Sequence, residues 1–250
     1  MIKYNNFIYP HYDTNGVFLT LACNIYKFCT HGCLYCFAPK VTFTKPEIFF
    51  SCANPKLNWI EGLKKFLDEH RHEINSEIML SFISDPYQPE EMKLMLTRRT
   101  LEIFREFDLS FTVLTKAGMS AARDFDLFEG YSNARFGSTI TTLNQNTANI
   151  WEPHAASISS RIAAIELAKL VNIPTWVSLE PVIVPREALQ VIKDLHDIVD
   201  YWKVGKINRN AQVTAQKLDW ITFREEAIAL LKDLKANYTI LSSLTNLIKK

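Results

Sequence analysis

Short runs of apolar and β-branched residues recur along the chain, separated by longer segments with a different rhythm. The runs occupy residues 17–23, 78–83, 111–115, 134–141, 175–179 and 201–204. Each run is too short for a stable helix and is rich in residues that favour an extended backbone. The pattern therefore predicts six strands.

The segments between these runs place apolar residues three, four or seven positions apart, which puts them on one face of a helix. The predicted helices carry the apolar stripes Trp59, Leu63, Phe66 and His70; Leu94, Leu101, Phe104 and Phe107; Ile158, Ile162, Ile165 and Ala168; Leu189, Ile192, Leu195 and Val199; and Trp220, Phe223, Ala227, Leu231 and Leu234. The helical pattern is weakest at residues 121–128.

Strands that alternate with helices predict an α/β fold with a parallel sheet, because each crossover helix returns the chain to the same end of the sheet. Periodicity alone does not decide between an open sheet and a partial barrel. We expect a core over residues 17–208, an extension at residues 1–16 and a helical segment at residues 209–250. In either arrangement ligands bind at the carboxyl ends of the strands.

Composition sets limits on size, charge and location. The chain has 250 residues and is 48% hydrophobic, which suits a single domain. Its 28 Lys and Arg residues nearly balance 27 Asp and Glu residues, so the net charge of +1 neither demands nor excludes nucleic acid. The first 16 residues lack the apolar segment of a signal peptide, and no run reaches the length of a membrane span. We expect a soluble cytoplasmic protein with reduced cysteines and no membrane contact.

Three of the five cysteines, Cys29, Cys33 and Cys36, lie within the eight residues CTHGCLYC, directly after the first predicted strand. Disulfides at these spacings would be strained, and the cytoplasm would reduce them. A structural zinc ion needs a fourth ligand, for which His31 and Cys23 are the nearby candidates. An iron–sulfur cube that is bound by three thiolates instead leaves one iron open to a cofactor or substrate.

The spacing CxxxCxxC, with the aromatic residue Tyr35 before the last cysteine, is the signature of the radical S-adenosylmethionine (radical SAM) superfamily. The stretches NIYKFCTHGCLYCFAP (24–39), SDPYQPEE (84–91), LTKAG (114–118) and SLEPVI (178–183) together resemble the branch related to spore photoproduct lyase. The likeness extends, as an ordered series of motifs, over roughly residues 17–208.

This resemblance implies a partial (β/α)6 barrel, similar to part of a TIM barrel, in which the three cysteines hold a [4Fe-4S] cluster. S-adenosylmethionine would bind the open iron, and an electron from the cluster would split it to give a 5′-deoxyadenosyl radical that takes a hydrogen atom from the substrate. The resemblance also implies a reducing partner such as a flavodoxin or a ferredoxin. By family analogy alone, the substrate is a nucleobase, a nucleotide or DNA, and a peptide or a small metabolite is the alternative.

The resemblance further assigns contacts with the cofactor. Lys116, after the third predicted strand, would pair with the cofactor carboxylate, although a solvated lysine is the ordinary interpretation of that position. Ser138, in the fourth strand, would contact the same amino acid moiety. Tyr35 would shield the cluster and flank the adenine. Arg161 is explained by a salt bridge on a helix surface, although related proteins carry an arginine here that reaches the cofactor.

Three polar residues follow other predicted strands. Ser84 and Asp85 follow the second strand, where they are placed to hold the cofactor's ammonium group or ribose; an Asp-Pro turn that caps the next helix is compatible with this role. Glu180 follows the fifth strand, so we expect its carboxylate to face the barrel mouth and to have a partner there, because an unpaired buried carboxylate is costly. Lys206 and Asn208, after the sixth strand, are weaker candidates for substrate contact.

Two positions depart from the family pattern. Spore photoproduct lyase returns a hydrogen atom from a cysteine where this chain has Phe82, and it relays the radical through a tyrosine where this chain has Phe37. A phenyl ring performs neither task, so these departures argue against repair of spore photoproduct. The rival hypothesis is a zinc-stabilised binding module without catalysis, in which His31 or Cys23 completes a closed tetrahedral site.

Overall fold

The computed structural model describes residues 6–12, 18–207 and 218–247. Within these ranges eight strands form one sheet in sequential order. They are β1 (Tyr9–Tyr12), β2 (Phe18–Cys23), β3 (Ile78–Leu80), β4 (Phe111–Thr115), β5 (Ala134–Thr139), β6 (Thr175–Val182), β7 (Tyr201–Lys206) and β8 (Asn237–Ile240). Strands β2 to β8 are parallel, and β1 is antiparallel to β2. The sheet curls into a partial barrel, which confirms the predicted α/β fold class.

Helices lie between most of the successive parallel strands, and one short helix follows the last strand. They are α1 (Ala38–Val41), α2 (Pro46–Phe49), α3 (Trp59–His70), α4 (Glu91–Leu94), α5 (Leu96–Glu106), α6 (Gln145–Trp151), α7 (Ile158–Leu170), α8 (Pro185–Leu195), α9 (Trp220–Asp233) and α10 (Ser242–Thr245). A 3₁₀ helix at Gly118–Leu127 occupies the segment where the helical pattern is weakest. None of the helices in the described ranges is long and apolar enough to cross a membrane.

All six predicted strands are present, and two further strands extend the sheet at its edges. The first predicted run includes Val17, which lies outside the described residues. Strand β1 lies in the segment expected to be an extension, and β8 lies between α9 and α10 in the segment expected to be helical, so each of these segments adds a strand that was not predicted. Both strands give a weak sequence signal: β1 reads YPHY and contains a proline, and β8 reads NYTI, which alternates between exposed and half-buried residues over only four positions.

The two faces of the sheet have different roles because successive side chains of a strand point to opposite sides. On the outer face, Phe111 and Phe136 pack with the helices in the main hydrophobic core. On the concave face, Arg135 at the start of β5 donates from Nε to Glu77 Oε1 at 2.8 Å. Higher on β5, a Cβ atom at Gly137 would lie 2.3 Å from the ring of Trp176. These side chains fill the amino-terminal part of the barrel interior and leave the carboxyl ends of the strands for a site.

Candidate active site

The three clustered cysteines lie on a tight loop between β2 and α1, at the carboxyl end of the sheet. Cys29 and Cys33 are buried, Cys36 is half-buried, and all three are free thiols. Gly32 has a φ of 65°, in the left-handed region that favours glycine. A Cβ atom there would also lie 3.2 Å from the ring of the exposed His154, so the turn favours glycine and a side chain would need a small shift of that ring.

Burial controls the protonation of these thiols. It raises the pKa of Cys29 to about 12 and that of Cys33 to about 11, and it raises the pKa of Cys36 in the same direction. A thiol that binds a metal must lose its proton, and a metal cation supplies the opposite charge that offsets the cost of a buried thiolate. The three thiols therefore stay protonated near neutral pH unless a bound cation favours the thiolate form.

The cysteine loop of the metal-free protein should react with an alkylating reagent faster as the pH rises. Because the thiolate is the reactive form and the pKa values of Cys29 and Cys33 lie far above neutrality, their labelling rates should rise about tenfold per pH unit. Mass spectrometry of timed samples measures these rates, and a Cys52→Ser variant removes the exposed thiol that would react first. Labelling of Cys29 and Cys33 that is complete and independent of pH near neutrality would contradict this account.

Gln88 holds one side of the cysteine loop. This fully buried amide accepts from the Thr30 backbone N–H at 2.8 Å and donates to the Phe28 carbonyl at 3.0 Å. At the base of the same loop, the Asn24 side chain accepts from the Phe82 backbone N–H at 2.7 Å. The stretch SDPYQPEE thus supports the loop through an amide that we did not identify from the sequence.

Glu152 holds the other side of the loop through a buried chain of polar contacts. Its carboxylate accepts from the Tyr35 hydroxyl and from the guanidinium of Arg161. Arg161 also donates from Nε to the Ala156 carbonyl at 2.9 Å and from Nη1 to the Thr139 carbonyl at 3.1 Å. Because Arg161 is fully buried, it does not form the helix-surface salt bridge that is its ordinary interpretation. Its guanidinium anchors Glu152 instead.

Backbone hydrogen bonds join the same two segments. The Leu34 N–H donates to the Trp151 carbonyl at 2.9 Å, and the His154 N–H donates to the His31 carbonyl at 3.2 Å. Residues 151–161 therefore close over the cysteine loop. The sequence gives no local sign of this contact because the partners are more than a hundred residues apart.

Ser84 and Asp85 lie after β3, as expected, and both make internal hydrogen bonds. Ser84 Oγ donates to the Tyr26 carbonyl at 3.1 Å. Asp85 Oδ1 accepts from Thr115 Oγ1 at 2.7 Å, and Oδ2 accepts from the Lys116 backbone N–H at 2.8 Å. The Asp85 carboxylate thus joins the ends of β3 and β4 and fixes the backbone that carries Lys116.

Lys116 lies beside the cysteine loop. Its Nζ lies 5.6 Å from the centroid of the Tyr35 ring. Burial lowers the pKa of Lys116, but the acidic groups beside it, the Cys33 thiol once it is ionised and the Glu152 carboxylate, outweigh burial, so the net direction is upward and the side chain is a cation. On the neighbouring strand, Ser138 Oγ donates to the last carbonyl of β4 at 3.0 Å. The structure thus brings Lys116, Tyr35 and Ser138 to one edge of the sheet.

Glu180 is the exposed residue of an otherwise buried strand, β6. Its carboxyl carbon lies 3.4 Å from the position of a Cβ atom at Gly205, so a side chain on Gly205 would crowd it. Burial by the surrounding protein raises the pKa of Glu180 above its ordinary value. The charges of Lys203 and Lys116 act in the opposite direction and only partly offset this rise. Protein lies on most sides of this carboxylate, but solvent still reaches it. Glu180 therefore lies in the concave mouth of the barrel, with two lysines as its neighbours.

The two phenylalanines that depart from the family pattern lie in different places. Phe82 packs on His11 of β1, with ring centroids 3.6 Å apart. Burial, together with the charge of Lys203, lowers the pKa of His11 to about 4, so its imidazole is neutral. Phe37 begins α1 and is exposed. Neither phenyl ring supplies a transferable hydrogen atom.

The weaker candidates give a mixed result. The ammonium group of Lys206 lies 5.9 Å from the Trp220 ring centroid, beside α9. Asn208 lies outside the described residues. Sequence reasoning missed His11 and Lys203, which the curl of the sheet brings close together across the barrel interior.

The donor atoms do not form a mononuclear metal site. Within residues 6–12, 18–207 and 218–247, no three His, Cys, Asp or Glu side chains converge closely enough to hold one metal ion. His31 Nδ1 faces Asp85 Oδ2 at 3.5 Å, and Cys23 is fully buried in β2. Zinc needs converging ligands, whereas each thiolate of a four-iron cluster binds its own iron. The cysteine loop therefore fits a cluster better than it fits a single ion.

Comparison with known proteins agrees with this geometry. The profile of the Radical SAM superfamily matches residues 23–199, which include the cysteine loop and strands β3 to β6. This chain belongs to the radical SAM superfamily. An uncharacterized protein of Methanocaldococcus jannaschii is 29% identical over 167 residues, which cover 64% of this radical SAM chain and 59% of the relative. An uncharacterized protein of Acidianus two-tailed virus is 24% identical over 176 residues, which cover 66% and 57%. The chain thus spans less than two thirds of each relative.

Solved structures share the fold of this radical SAM protein. A serine-for-cysteine variant of spore photoproduct lyase superposes with a TM-score of 0.71 at 11% identity, covering 96% of this chain and 79% of the lyase. SuiB of Streptococcus suis bound to S-adenosylmethionine superposes with a TM-score of 0.65 at 11% identity, covering 91% of this chain and 53% of SuiB. At this identity the likeness concerns the fold alone.

Proposed function

We propose that this radical SAM protein is an enzyme that holds a [4Fe-4S] cluster with Cys29, Cys33 and Cys36 and binds S-adenosylmethionine at the iron that no protein ligand occupies. The observation that carries the proposal is three thiols on one loop at the carboxyl end of the sheet, with no further side chain converging to complete a mononuclear site among the described residues. A cluster held there would supply the one electron that splits S-adenosylmethionine into methionine and a 5′-deoxyadenosyl radical, which would abstract a hydrogen atom from the substrate.

The side chains around the cysteine loop bind and orient the cofactor in this proposal. Lys116, held as a cation beside Cys33, pairs with the carboxylate of S-adenosylmethionine. Ser138 lies at the end of the neighbouring strand and contacts the same amino acid moiety. Tyr35, fixed through Glu152, flanks the adenine and shields the cluster from water.

Ser84, Asp85 and Glu180 complete the proposed cofactor site. Asp85 orients Lys116 through its backbone N–H, and Ser84 lies next to that carboxylate with its hydroxyl on the Tyr26 carbonyl. Glu180, in the mouth of the barrel, is placed to accept a hydrogen bond from a hydroxyl or amino group of the cofactor.

We propose a nucleobase-containing substrate, a nucleotide or DNA, that enters the barrel mouth. A structure of spore photoproduct lyase contains AdoMet and dinucleoside spore photoproduct, and that lyase shares the fold. In this chain Lys203, near Glu180 on the concave face, supplies a cation for a nucleotide phosphate. A peptide is the second candidate because SuiB, which also shares the fold, has been crystallised with its precursor peptide SuiA. Phe82 argues against spore photoproduct itself, since its ring cannot return a hydrogen atom.

The proposal also requires a reducing partner and a reducing compartment. A flavodoxin or a ferredoxin would supply the electron, and free thiols persist in the cytoplasm, where we place the protein.

Anaerobic purification followed by reduction with dithionite tests the proposed activity. We expect a brown protein with about four irons per chain that converts S-adenosylmethionine into 5′-deoxyadenosine. A colourless protein with one zinc ion per chain and no cleavage of S-adenosylmethionine would support the binding module instead. With perdeuterated DNA or perdeuterated peptide in the assay, deuterium in the 5′-deoxyadenosine identifies the substrate class.

A further inference from the structure

Two aromatic rings that the proposed cofactor site does not use lie together near the cysteine loop. His11 of β1 stacks on Phe82, which follows β3, with ring centroids 3.6 Å apart and ring planes inclined by 33°. Both side chains are half-buried, so part of each ring stays open to solvent. We define the aromatic platform as these two rings.

The alternation of side chains places His11 on the concave face of the sheet. His11 pairs with Thr20 of β2, and the next residue of β2, Leu21, lies in the main hydrophobic core. Because successive side chains of a strand point to opposite faces, Thr20 faces the concave side, and its cross-strand neighbour His11 faces the same way. Strand β1 thus adds an aromatic side chain to the barrel mouth.

A buried amide fixes both halves of the aromatic platform. Asn24 Oδ1 accepts from the backbone N–H groups of Phe82 at 2.7 Å and Ile83 at 2.8 Å. The same side chain donates from Nδ2 to the hydroxyl of Tyr9, two positions before His11 on β1. Ile83 packs against the apolar cluster that contains the first loop cysteine. The aromatic platform is therefore held in place directly beside the cysteine loop.

A cation and a carboxylate lie on the same concave face. Lys203 of β7 pairs in register with Ser178, two positions before Glu180 on β6, so the side chains of Lys203 and Glu180 share one face. Burial and the charge of Lys203 both lower the pKa of His11, although five strands separate β1 from β7 in the sheet. Since charge interactions weaken with distance, the curl of the sheet brings Lys203 within reach of a ligand on the aromatic platform.

We propose that the aromatic platform stacks on the base of a nucleotide whose phosphate pairs with Lys203. This inference rests on the proposed function and deepens it, because it names the surface that recognises the base. Phenyl and imidazole rings stack on unpaired bases, and such stacking tolerates every base because each has a π-face. A peptide backbone offers neither an extended π-face nor a phosphate, so these side chains favour a nucleotide over a peptide.

The position of the aromatic platform gives this stacking a role in the reaction. A base that lies on Phe82 lies next to the cysteine loop, where the proposed function forms the 5′-deoxyadenosyl radical. The platform therefore positions the substrate and fixes which part of the nucleotide meets the radical. A free nucleotide and a base in a DNA strand share this chemistry.

The experiment measures ligand binding to the cluster-loaded protein with saturating S-adenosylmethionine and no reductant, so that the cofactor stays intact. Anaerobic titration calorimetry compares the 5′-monophosphates of the four DNA nucleosides, a single-stranded tetranucleotide, 2-deoxyribose 5-phosphate, which lacks a base, and an acidic peptide. The test variants are Phe82→Leu, Phe82→Tyr and Lys203→Met. Matched controls on α3 are Phe66→Leu, which removes a ring that stacks on His70 at 4.9 Å, and Lys65→Met at an exposed position.

We expect Phe82→Leu to weaken nucleotide binding about tenfold, because leucine is apolar but has no π-face. Binding of 2-deoxyribose 5-phosphate to this variant should stay within about twofold, and Phe82→Tyr, which keeps a ring, should bind nucleotides within about twofold of wild type. Lys203→Met should weaken both ligands about tenfold, since it removes the charge that pairs with phosphate. Both controls should bind every ligand as the wild type does.

The other occupants of the aromatic platform give distinguishable results. Tighter binding of the tetranucleotide than of any monophosphate supports a base in DNA, and the reverse supports a free nucleotide. The inference is wrong if Phe82→Leu weakens nucleotide and 2-deoxyribose 5-phosphate equally, or if only the peptide binds. It is also wrong if Phe82→Leu weakens S-adenosylmethionine instead, because the platform then holds the adenine of the cofactor.

Formation of 5′-deoxyadenosine with dithionite tests the proposed function separately. Wild-type protein that forms 5′-deoxyadenosine but binds no nucleotide would overturn the aromatic platform alone. Wild-type protein that binds nucleotides but forms no 5′-deoxyadenosine would overturn the proposed function.

Discussion

Cys33→Ala is expected to abolish cluster retention while the barrel remains folded. Cys33 is the middle cysteine of the loop and is buried, so its removal leaves two thiolates for a cluster that already lacks a fourth protein ligand. The main core of the sheet and helices does not include the loop cysteines, so it should persist without the metal. Iron analysis of anaerobically purified variant should give far below the roughly four irons of the wild type.

The matched control for this variant is Cys52→Ala, which removes an exposed thiol outside the loop and should keep full iron content. Circular dichroism and thermal unfolding of both variants report the fold. Gross unfolding of Cys33→Ala, with Cys52→Ala still folded, would instead indicate a structural metal. An unchanged iron content in Cys33→Ala would show that Cys33 is not a ligand of the cluster.

Glu152→Ala is expected to destabilise the protein by about 3–5 kcal/mol, because it leaves a buried arginine without its partner. The side chains of Glu152 and Arg161 are almost completely inaccessible to solvent, and the remaining partners of Arg161 are backbone carbonyls that carry no net charge. The same change removes the acceptor of the Tyr35 hydroxyl, so the cysteine loop loses one of its supports. Denaturant unfolding measures the loss in the free energy of unfolding.

Two further variants separate the charge effect from the loop effect. Tyr35→Phe removes the hydrogen bond but keeps the ion pair, so it should cost only about 1 kcal/mol. Glu152→Leu combined with Arg161→Met removes both charges and should recover much of the stability lost in Glu152→Ala. If Glu152→Ala costs no more than Tyr35→Phe, the buried ion pair does not hold the loop as described here.

The hydrophobic pattern predicted the parts of the fold in which one face of an element is buried. Strands β2 to β7 carry apolar residues on the face that packs against the helices, and α3, α5, α7, α8 and α9 carry apolar stripes that face the same core. Edge strands β1 and β8 were missed because each has one neighbour and is partly exposed, so little apolar pattern is required. Their places in the sheet follow from tertiary pairing alone.

The sequence predicted the site where chemistry depends on local spacing. The three cysteines were identifiable from their spacing within one loop, and Lys116 was identified from its place after a strand together with the family resemblance. Glu152 was not identifiable, because its partner Tyr35 lies 117 positions earlier in the chain. Asp85 was predicted as a cofactor contact and stays a prediction, while its carboxylate makes hydrogen bonds at the end of β4 that only the folded chain reveals.

The most direct measurement is electron paramagnetic resonance of the reduced, anaerobic protein with S-adenosylmethionine labelled in its methionine moiety with ¹⁵N and ¹⁷O. We expect the cluster signal to change on addition of the cofactor and to show hyperfine coupling to both labels, because in the proposed function the amino and carboxylate groups of S-adenosylmethionine would bind the open iron. A cluster signal that is unaffected by the cofactor and shows no coupling to either label would contradict the account, since every iron would then already be filled by the protein.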